Sequence, residues 1–256
     1  MNKHPKIRIK IGVIGYLPFD FDRKLIKKYK SDVFEIVGDF EERGFRQNAD
    51  LDWWEYSNSL LEEELPENKN ADFSIWITYV PLKGNFYARR LSSNRIILSY
   101  FEIYRILKQE HIPVENFLLR SIYIYVLVYL RYHKEIPIQN KLTLFHDDTR
   151  GCIFDMNGNK EDVIYSLDKP RICGECIEKT KKDGVTDDDI NRIKKEIRRI
   201  KKKCFYKIAA FKERNPVRSM ILSFSSGVLI GLATNTIFEI MNLPAAETAG
   251  YLAALF

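Results

Sequence analysis

The sequence predicts an α+β protein, with an α/β core domain, a cysteine-rich segment and a C-terminal transmembrane helix. Short β-branched runs alternate with amphipathic segments in the first half of the chain, which is typical of a sheet covered by helices. Three of the four cysteines lie close together, and residues 219–241 contain a single charged residue. These features predict a core domain, a zinc-binding segment, a basic helix, a membrane span and a short tail over residues 1–140, 141–182, 183–218, 219–241 and 242–256.

The first strand and the first helices follow from local patterns. The alternating, β-branched "KIRIKIGVIGY" predicts a buried strand. The stretch "DFDRKLIKKYKSDV" predicts a helix capped by Asp20 or Asp22. Helical spacing with an acidic face predicts a second helix in "LDWWEYSNSLLEEEL".

The centre of the core domain begins with "ADFSIWITYVPL", which predicts a strand that stops at Pro81. Residues 95–98 predict a short strand, and a helix capped by Ser99 and ended by Pro113 follows. The next helix covers about residues 115–132 and is strongly apolar. Its uncharged run, residues 121–130, is too short to cross a bilayer, so we expect the central core helix here.

Four side chains in the cysteine-rich segment have the spacing of a metal site. Cys173 and Cys176 form a C-x2-C knuckle, Cys152 lies upstream, and His146 precedes it by six positions. Zinc binds four such ligands in a tetrahedron. Three thiolates and one imidazole would leave no water position, so we expect a structural zinc rather than a catalytic one.

The acidic residues beside these ligands allow two interpretations. Asp147 and Asp148 could orient the ligand His146, with Arg150 paired to one of them. Alternatively, either aspartate could replace His146 as the fourth ligand. A second hypothesis is that Asp147, Asp148 and Asp155 bind Mg²⁺ and support phosphodiester hydrolysis.

The positive charge of the chain is concentrated before its end. The net charge is +6, but residues 192–218 alone carry 12 Lys and Arg against two Glu. A long basic helix capped by Thr186 or an adjacent Asp is expected here, interrupted by Pro216. It could lie on anionic lipid, contact nucleic acid or be a solvated face. Cys204 in this run could be lipidated or be a further alternative for the fourth zinc ligand.

Residues 219–241 predict a single membrane span. A helix of 23 residues is roughly 34 Å long, enough for a hydrocarbon core of about 30 Å. The basic run precedes this span, and "MNKHPKIRIKIGVIGY" lacks a signal-peptide pattern. We therefore expect a single-pass protein of the inner or plasma membrane, with its N-terminal domain in the cytoplasm. The span makes membrane lipid one partner. Ser223, Gly227 and Gly231 recur every fourth position, which favours a second copy of the helix as another.

The cysteine segment and the region before it resemble the archaemetzincins, a family of small zincin metalloproteases. Cys152, Met156 and Cys173-x2-Cys176 follow one another at nearly the spacing of that family's second zinc site, and His146 stands close to the position of its first structural cysteine. The stretch "ADFSIWITYVPLKGNFYARRLSSNRIILS" resembles the strand, loop and edge strand before its active-site helix. The resemblance covers residues 70–178 and implies the fold and the structural zinc.

The catalytic half of the archaemetzincin pattern is missing. A zincin needs two histidines one helical turn apart and a glutamate that activates water, in the pattern HExxH. The helix at that place reads "NFLLRSIYIYVLVYLRYH", with His133 alone at its end. We therefore expect no catalytic residue to carry over from the family.

These observations favour a membrane-anchored, non-catalytic protein stabilised by zinc. It would be a sensor, adaptor or effector whose cytoplasmic domain binds an unknown protein or small molecule, with bacterial stress or antiviral defence as a suggested setting. One alternative is a metal-dependent hydrolase, a divergent protease or nuclease. The other is a soluble, zinc-containing protein that binds nucleic acid through the basic helix.

Overall fold

The computed structural model describes residues 5–138, 145–202 and 204–242, except the side chains of residues 204–206, 210 and 239–242. The chain forms two compact units that divide between residues 203 and 204. The first unit contains a mixed sheet with covering helices, and the second unit contains helices within its described part. The mixed α+β class is therefore confirmed.

The sheet of the first unit has the strand order β2-β1-β4-β6-β5, and β3 also pairs with β1. All pairs are parallel except β5 with β6, which is antiparallel and places β5 at one edge. The strands are β1 Ile7–Ile14, β2 Phe34–Ile36, β3 Glu41–Arg43, β4 Phe73–Thr78, β5 Ala88–Leu91 and β6 Arg95–Ser99. The expected strands β1, β4 and β6 are confirmed.

Among the described residues, two α-helices lie between strands of the sheet and the others follow the last strand. Short 3-10 turns occur at Asp52–Trp54, Lys83–Asn85 and Lys160–Ser166. The α-helices are α1 Arg23–Lys27, α2 Asn58–Glu64, α3 Ile103–Gln109, α4 Val114–Arg131, α5 Gly174–Lys182, α6 Asp187–Ile197, α7 Cys204–Arg214 and α8 Pro216–Asn242.

Helix α4 lies at the centre of the first unit, as expected. Its side chains join one buried apolar cluster with those of β1, β4 and β6, including Ile9, Ile75, Leu98, Phe117 and Leu127. Burial of this much apolar surface on all sides of one helix is the main favourable contribution to the stability of the unit. The same cluster includes Cys152 and Cys176, so the cysteine segment packs directly on the core.

Of two predicted helix caps, one is confirmed and one is wrong. Asp22 caps α1 as expected, because its carboxylate accepts a hydrogen bond from the Leu25 N–H at 2.9 Å. The prediction that Ser99 caps the next helix is wrong. Ser99 is the last residue of β6, where its hydroxyl donates to the Val80 carbonyl at 2.6 Å, and α3 begins four residues later.

The prediction of a single long basic helix is also wrong. Thr186 caps α6 as expected, but α6 ends at Ile197 and α7 begins at Cys204. The intervening chain is tied to the core, because the Ile200 side chain is buried and its carbonyl accepts from the Lys169 N–H at 2.6 Å. These tertiary contacts outweigh the helical propensity of the intervening basic residues.

The second unit contains α7 and α8 within the described range. Asn215 separates the two helices, and Pro216 begins α8 at a position where its missing N–H costs nothing. Side chains such as Met220, Leu222, Phe224 and Leu229 are exposed. In the described part of the chain, α8 holds the one stretch long and apolar enough to cross a membrane, Pro216–Phe238, judged by length and composition. The tail beyond Asn242 lies outside the described residues.

Candidate metal centre

Two short backbone pairings fold the segment between α4 and α5 into a compact loop. His146 pairs with Asp155, and Cys152 pairs with Arg171, each in a parallel bridge. The Met156 N–H donates to the His146 carbonyl at 3.0 Å, and the Ile153 N–H donates to the Arg171 carbonyl at 2.9 Å. These bonds bring the upstream ligand candidates to the start of α5.

The start of α5 supplies the other two sulfur atoms. Cys173 occupies the N-cap position, and Cys176 lies in the first turn. Free backbone N–H groups and the positive end of the helix dipole favour negative charge at such a position. Thiolate is the form of cysteine that binds a metal.

The four residues expected to bind zinc come together. One ligand atom from each of His146, Cys152, Cys173 and Cys176 lies within 4.8 Å of the other three. The Cys173 Sγ lies 3.5 Å from His146 Nε2, and the Cys173 N–H donates to the Cys152 Sγ at 3.4 Å. Cys152 and Cys176 are buried, and the His146 side chain is only 8% exposed. This cluster of one imidazole and three thiols could hold a metal ion.

The atoms around His146 Nε2 indicate that a cation fits the cluster. His146 Nδ1 lies 2.9 Å from the Asp148 carbonyl oxygen, which can only accept, so Nδ1 carries the proton. In the neutral ring, Nε2 then presents a lone pair toward Cys173 Sγ and toward Asp155 Oδ1, which is 3.5 Å away. Asp155 Oδ1 is buried and has no hydrogen-bond partner among the described residues. A cation held by His146 Nε2 and the three sulfur atoms would place positive charge beside this carboxylate oxygen, and the donor set suits zinc.

The thiols also compete for protons within this small space. The hydrogen bond from Cys176 lowers the pKa of Cys152 to about 5, whereas that bond and burial raise the pKa of Cys176 far above its ordinary value. Opposite shifts of this kind arise when neighbouring acids cannot all ionise together. A divalent cation removes the competition, because it displaces the protons of all its thiol ligands.

Asp155 is the residue in this site that the sequence assigned to another role. Its Oδ2 accepts hydrogen bonds from the backbone N–H groups of Arg150 and Cys152, each at 3.0 Å. The carboxylate thereby fixes the loop that carries Cys152, while its Oδ1 faces His146. The position in the loop offers no sequence signal for this role, since it depends on the two backbone bridges.

The residues expected to support the ligand histidine have different positions. Asp147 is exposed. Asp148 contacts the imidazole through its backbone carbonyl, while its carboxylate pairs with Arg150 at 2.7 Å. Arg150 also pairs with Glu175 at 3.0 Å and lies 3.9 Å from the Cys173 Sγ. Lys179 first, and then Arg150, lower the pKa of Glu175 to about 2, so this carboxylate stays ionised and holds the guanidinium beside the sulfur.

The alternative magnesium site receives no support from the described ranges. Apart from the histidine and cysteine cluster, no group of three or more His, Cys, Asp or Glu side chains that could hold a metal occurs in residues 5–138, 145–202 and 204–242. Asp147 and Asp148 point to solvent, whereas Asp155 is buried. Cys204, the further alternative for the fourth ligand, begins α7, and its side chain lies outside the described residues.

The three small residues expected to pack in the membrane lie on α8. Ser223, Gly227 and Gly231 are exposed and, at four-residue spacing, follow one face of the helix. A Cβ atom added at Gly227 or Gly231 would meet no atom within 4 Å. The described residues thus leave this face free for a neighbouring helix.

Comparisons with known proteins give a distant likeness. No family model and no curated protein matches the sequence. Two solved structures are similar, both archaemetzincins. The protein from Methanopyrus kandleri is 14% identical with a TM-score of 0.41, and the match covers 70% of this chain and 95% of that one.

The second is the archaemetzincin from Archaeoglobus fulgidus, whose structure was solved in complex with malonate. It is 15% identical with a TM-score of 0.34, and the match covers 68% of this chain and 99% of that one. Both proteins belong to the family that the cysteine segment resembles. With TM-scores below 0.5, the likeness assigns neither an activity nor site residues to this chain.

Proposed function

We propose that this chain is a membrane-anchored, non-catalytic binding protein whose first unit is stabilised by a structural zinc. The observation that carries the proposal is the closed cluster of His146, Cys152, Cys173 and Cys176. Four protein ligands complete a tetrahedron, so no position remains for water or substrate. Closed sites of this kind contribute folding free energy rather than chemistry.

The zinc would add a cross-link between two parts of the chain that a backbone bridge and the Arg150–Glu175 ion pair also connect. The loop with His146 and Cys152 follows α4, whereas Cys173 and Cys176 belong to α5. A metal bound to both fixes the start of α5 against the core helix. Because Cys152 and Cys176 are part of the apolar core, loss of the metal would leave ionisable thiols buried there, which is unfavourable.

Helix α8 would anchor the protein in a bilayer. Apart from Arg218 and Asn235, its side chains in the stretch Pro216–Phe238 are apolar or are Ser and Thr, several of which bond their own helix, as Ser225 does with the Ile221 carbonyl at 2.9 Å. Arg214 and Arg218 stand at its start, so the positive-inside rule places the preceding chain in the cytoplasm. Membrane lipid is then one partner, and the face with Gly227 and Gly231 supports self-association.

Membrane fractionation tests the anchor. Full-length protein should stay in the pellet after a carbonate wash at high pH, and a variant that ends before Pro216 should appear in the supernatant. Release of the full-length chain by carbonate would contradict the anchor. Binding to nucleic acid that falls steeply with salt in the truncated variant would instead favour the nucleic-acid hypothesis.

A metal-dependent hydrolase remains the second candidate, favoured by the buried Asp155 Oδ1 beside the ligands. A carboxylate in this position could accept a proton if one metal ligand were water. The hydrolase candidate requires metal-dependent cleavage of a casein or oligonucleotide substrate that Asp155→Asn abolishes while zinc is retained. No cleavage by the zinc-loaded protein is the result that our proposal predicts.

A further inference from the structure

The core of the first unit holds an arginine with no ion-pair partner among the described residues. Arg120 lies on α4 and is completely buried. Its Nη2 donates to the Asp155 carbonyl at 3.2 Å, but Nε and Nη1, which carry three N–H groups, have no partner among the described residues. Buried charges are normally paired and hydrogen-bonded, because an unpaired one costs several kcal/mol or more.

A second buried arginine shows how this chain satisfies such a group elsewhere. Arg95 is 4% exposed, and its guanidinium pairs with the Glu62 carboxylate. It also donates to the carbonyls of Ser92 and Leu65 at 3.0 and 2.7 Å. Each nitrogen of Arg95 has a partner within the chain, whereas two nitrogens of Arg120 have none among the described residues.

Other polar groups without partners lie near Arg120. Arg90 of β5 is on the sheet face that packs on α4, since its pairing neighbour Ile96 belongs to the same apolar cluster, and its buried Nη1 has no partner in the described chain. Arg90 and Arg120 both act electrostatically on the hydroxyl of the buried Tyr125. Burial is the larger effect, however, and it raises the pKa of Tyr125 to about 12, so this hydroxyl stays neutral.

The loop beside the metal centre completes this group. Arg120 holds the Asp155 carbonyl, and the Tyr87 hydroxyl donates to the Met156 carbonyl at 3.1 Å. The next residue, Asn157, is 4% exposed, and neither atom of its side-chain amide has a partner in the described chain. Arg90, Arg120 and Asn157, on three separate segments, thus hold buried donors that have no partner among the described residues.

An open cleft is lined by residues that are close in sequence to this group. The cleft has a volume of about 320 Å³ and is lined by Gly84 and Asn85, shortly before Tyr87, and by Gly158 and Lys160, shortly after Asn157. The remaining lining includes Glu102, Arg105 and Glu161, so it is polar and carries both charges, which suits a hydrophilic ligand better than an apolar one.

We propose that Arg120, Arg90 and Asn157 bind the phosphate group of a small anionic ligand. A guanidinium group matches an oxyanion with paired N–H donors, and two positive charges match a phosphate dianion better than a single carboxylate. This site would define the class of ligand that the binding protein proposed above recognises. Only the biological role of the ligand, and not its binding, rests on that proposed function. Its residues belong neither to the zinc cluster nor to α8.

Thermal unfolding of the full-length protein in detergent micelles tests the proposal, followed by tryptophan fluorescence. Trp76 is buried in the first unit and reports its unfolding. Replacing chloride by inorganic phosphate at constant ionic strength should raise the melting temperature by roughly 2–4 °C. A parallel arm with adenosine monophosphate distinguishes free phosphate from the phosphate of a larger molecule, since the true source gives the larger rise.

Three variants decide the origin of the rise. Arg120→Met and Arg90→Gln should each abolish most of it, and both should keep the zinc content and carbonate resistance of the wild type. Without phosphate, Arg120→Met should melt at the same or a higher temperature, because it removes an unpaired buried charge. The matched control Arg95→Met should melt lower but keep the phosphate response, because it leaves Glu62 without its partner.

The results that would overturn the proposal are equally specific. One is that neither probe raises the melting temperature of the wild type. The other is that phosphate raises it equally in the wild type, in Arg120→Met and in Arg90→Gln. If Arg120→Met does not fold, Arg90→Gln alone decides, since Arg90 lies at the half-buried edge strand. A failure of the anchor or zinc experiments would leave these outcomes unchanged, because the phosphate response is measured separately.

Discussion

Two long apolar helices of this chain, α4 and α8, have opposite surroundings. In α4, 16 of 18 residues are buried. Glu115 accepts a hydrogen bond from the Asp22 N–H and Arg131 pairs with Asp183, whereas Arg120 has no ion-pair partner among the described residues. In α8, Met220 through Phe238 present exposed apolar side chains and no charge. Apolar content alone therefore does not separate a core helix from a membrane helix. The charged residues within the apolar sequence, and the neighbours that pair with most of them, distinguish the core helix from the membrane helix.

The largest effect on the stability of the first unit should come from loss of the zinc that links segments packed around α4. Cys176→Ser should remove zinc and leave the first unit largely unfolded, because structural zinc contributes about 10 kcal/mol or more in small zinc domains. Zinc content and resistance to trypsin measure this effect. Cys204→Ser is the matched control and should change neither, and equal damage by both variants would make Cys204 a ligand.

A cavity next tests the burial of α4 against the exposure of α8. Leu127 is completely buried, so Leu127→Ala should lower the free energy of unfolding of the first unit by about 2–5 kcal/mol. Leu229 is 66% exposed, and Leu229→Ala should change it by less than about 0.5 kcal/mol. Urea unfolding followed by Trp76 fluorescence gives both values, and similar losses would erase the distinction between the helices.

A charge in α8 tests the membrane side of the comparison. Leu229→Arg places a guanidinium near the middle of the span, at a cost of about 2.5–3.5 kcal/mol for insertion. The carbonate-resistant fraction should fall clearly, while unfolding of the first unit stays unchanged. Met220→Arg, near the end of the span, is the control and should have little effect because the side chain can reach the interface. Equal carbonate resistance of all forms would speak against insertion.

The smallest effect concerns association of α8 with a second copy. Gly231→Leu should weaken self-association in bilayers by about 1 kcal/mol, because it keeps the two backbones apart. Fluorescence energy transfer between labelled chains measures the change. Ala233→Leu adds similar bulk on nearly the opposite side of the helix and should leave the signal intact. If both variants act alike, the small-residue face is not the contact.

Regular patterns made part of the fold predictable from the sequence. The strands β1 and β4 and the helix α4 carry long apolar signals that agree with their burial. The three-residue strands β2 and β3 were not predicted, because so short a segment has no period. The break between α6 and α7 was missed because it depends on Ile200, which is held by a distant backbone N–H.

The candidate site shows the same limit. Cysteine spacing was enough to group His146 with the three cysteines, since metal ligands follow known intervals. Spacing could not show that Asp155 faces His146, or that Arg120 is buried without a partner. Both depend on how the loop after α4 packs on the core, and no local pattern records that packing.

Zinc K-edge X-ray absorption on the purified full-length protein tests the central claim most directly. We predict one zinc per chain, with three sulfur atoms at about 2.3 Å and one nitrogen at about 2.0 Å. Such a spectrum would show a closed site that stabilises the fold. An oxygen ligand in place of the nitrogen or a sulfur, or an additional bound water, would contradict the closed site and place the hydrolase candidate first.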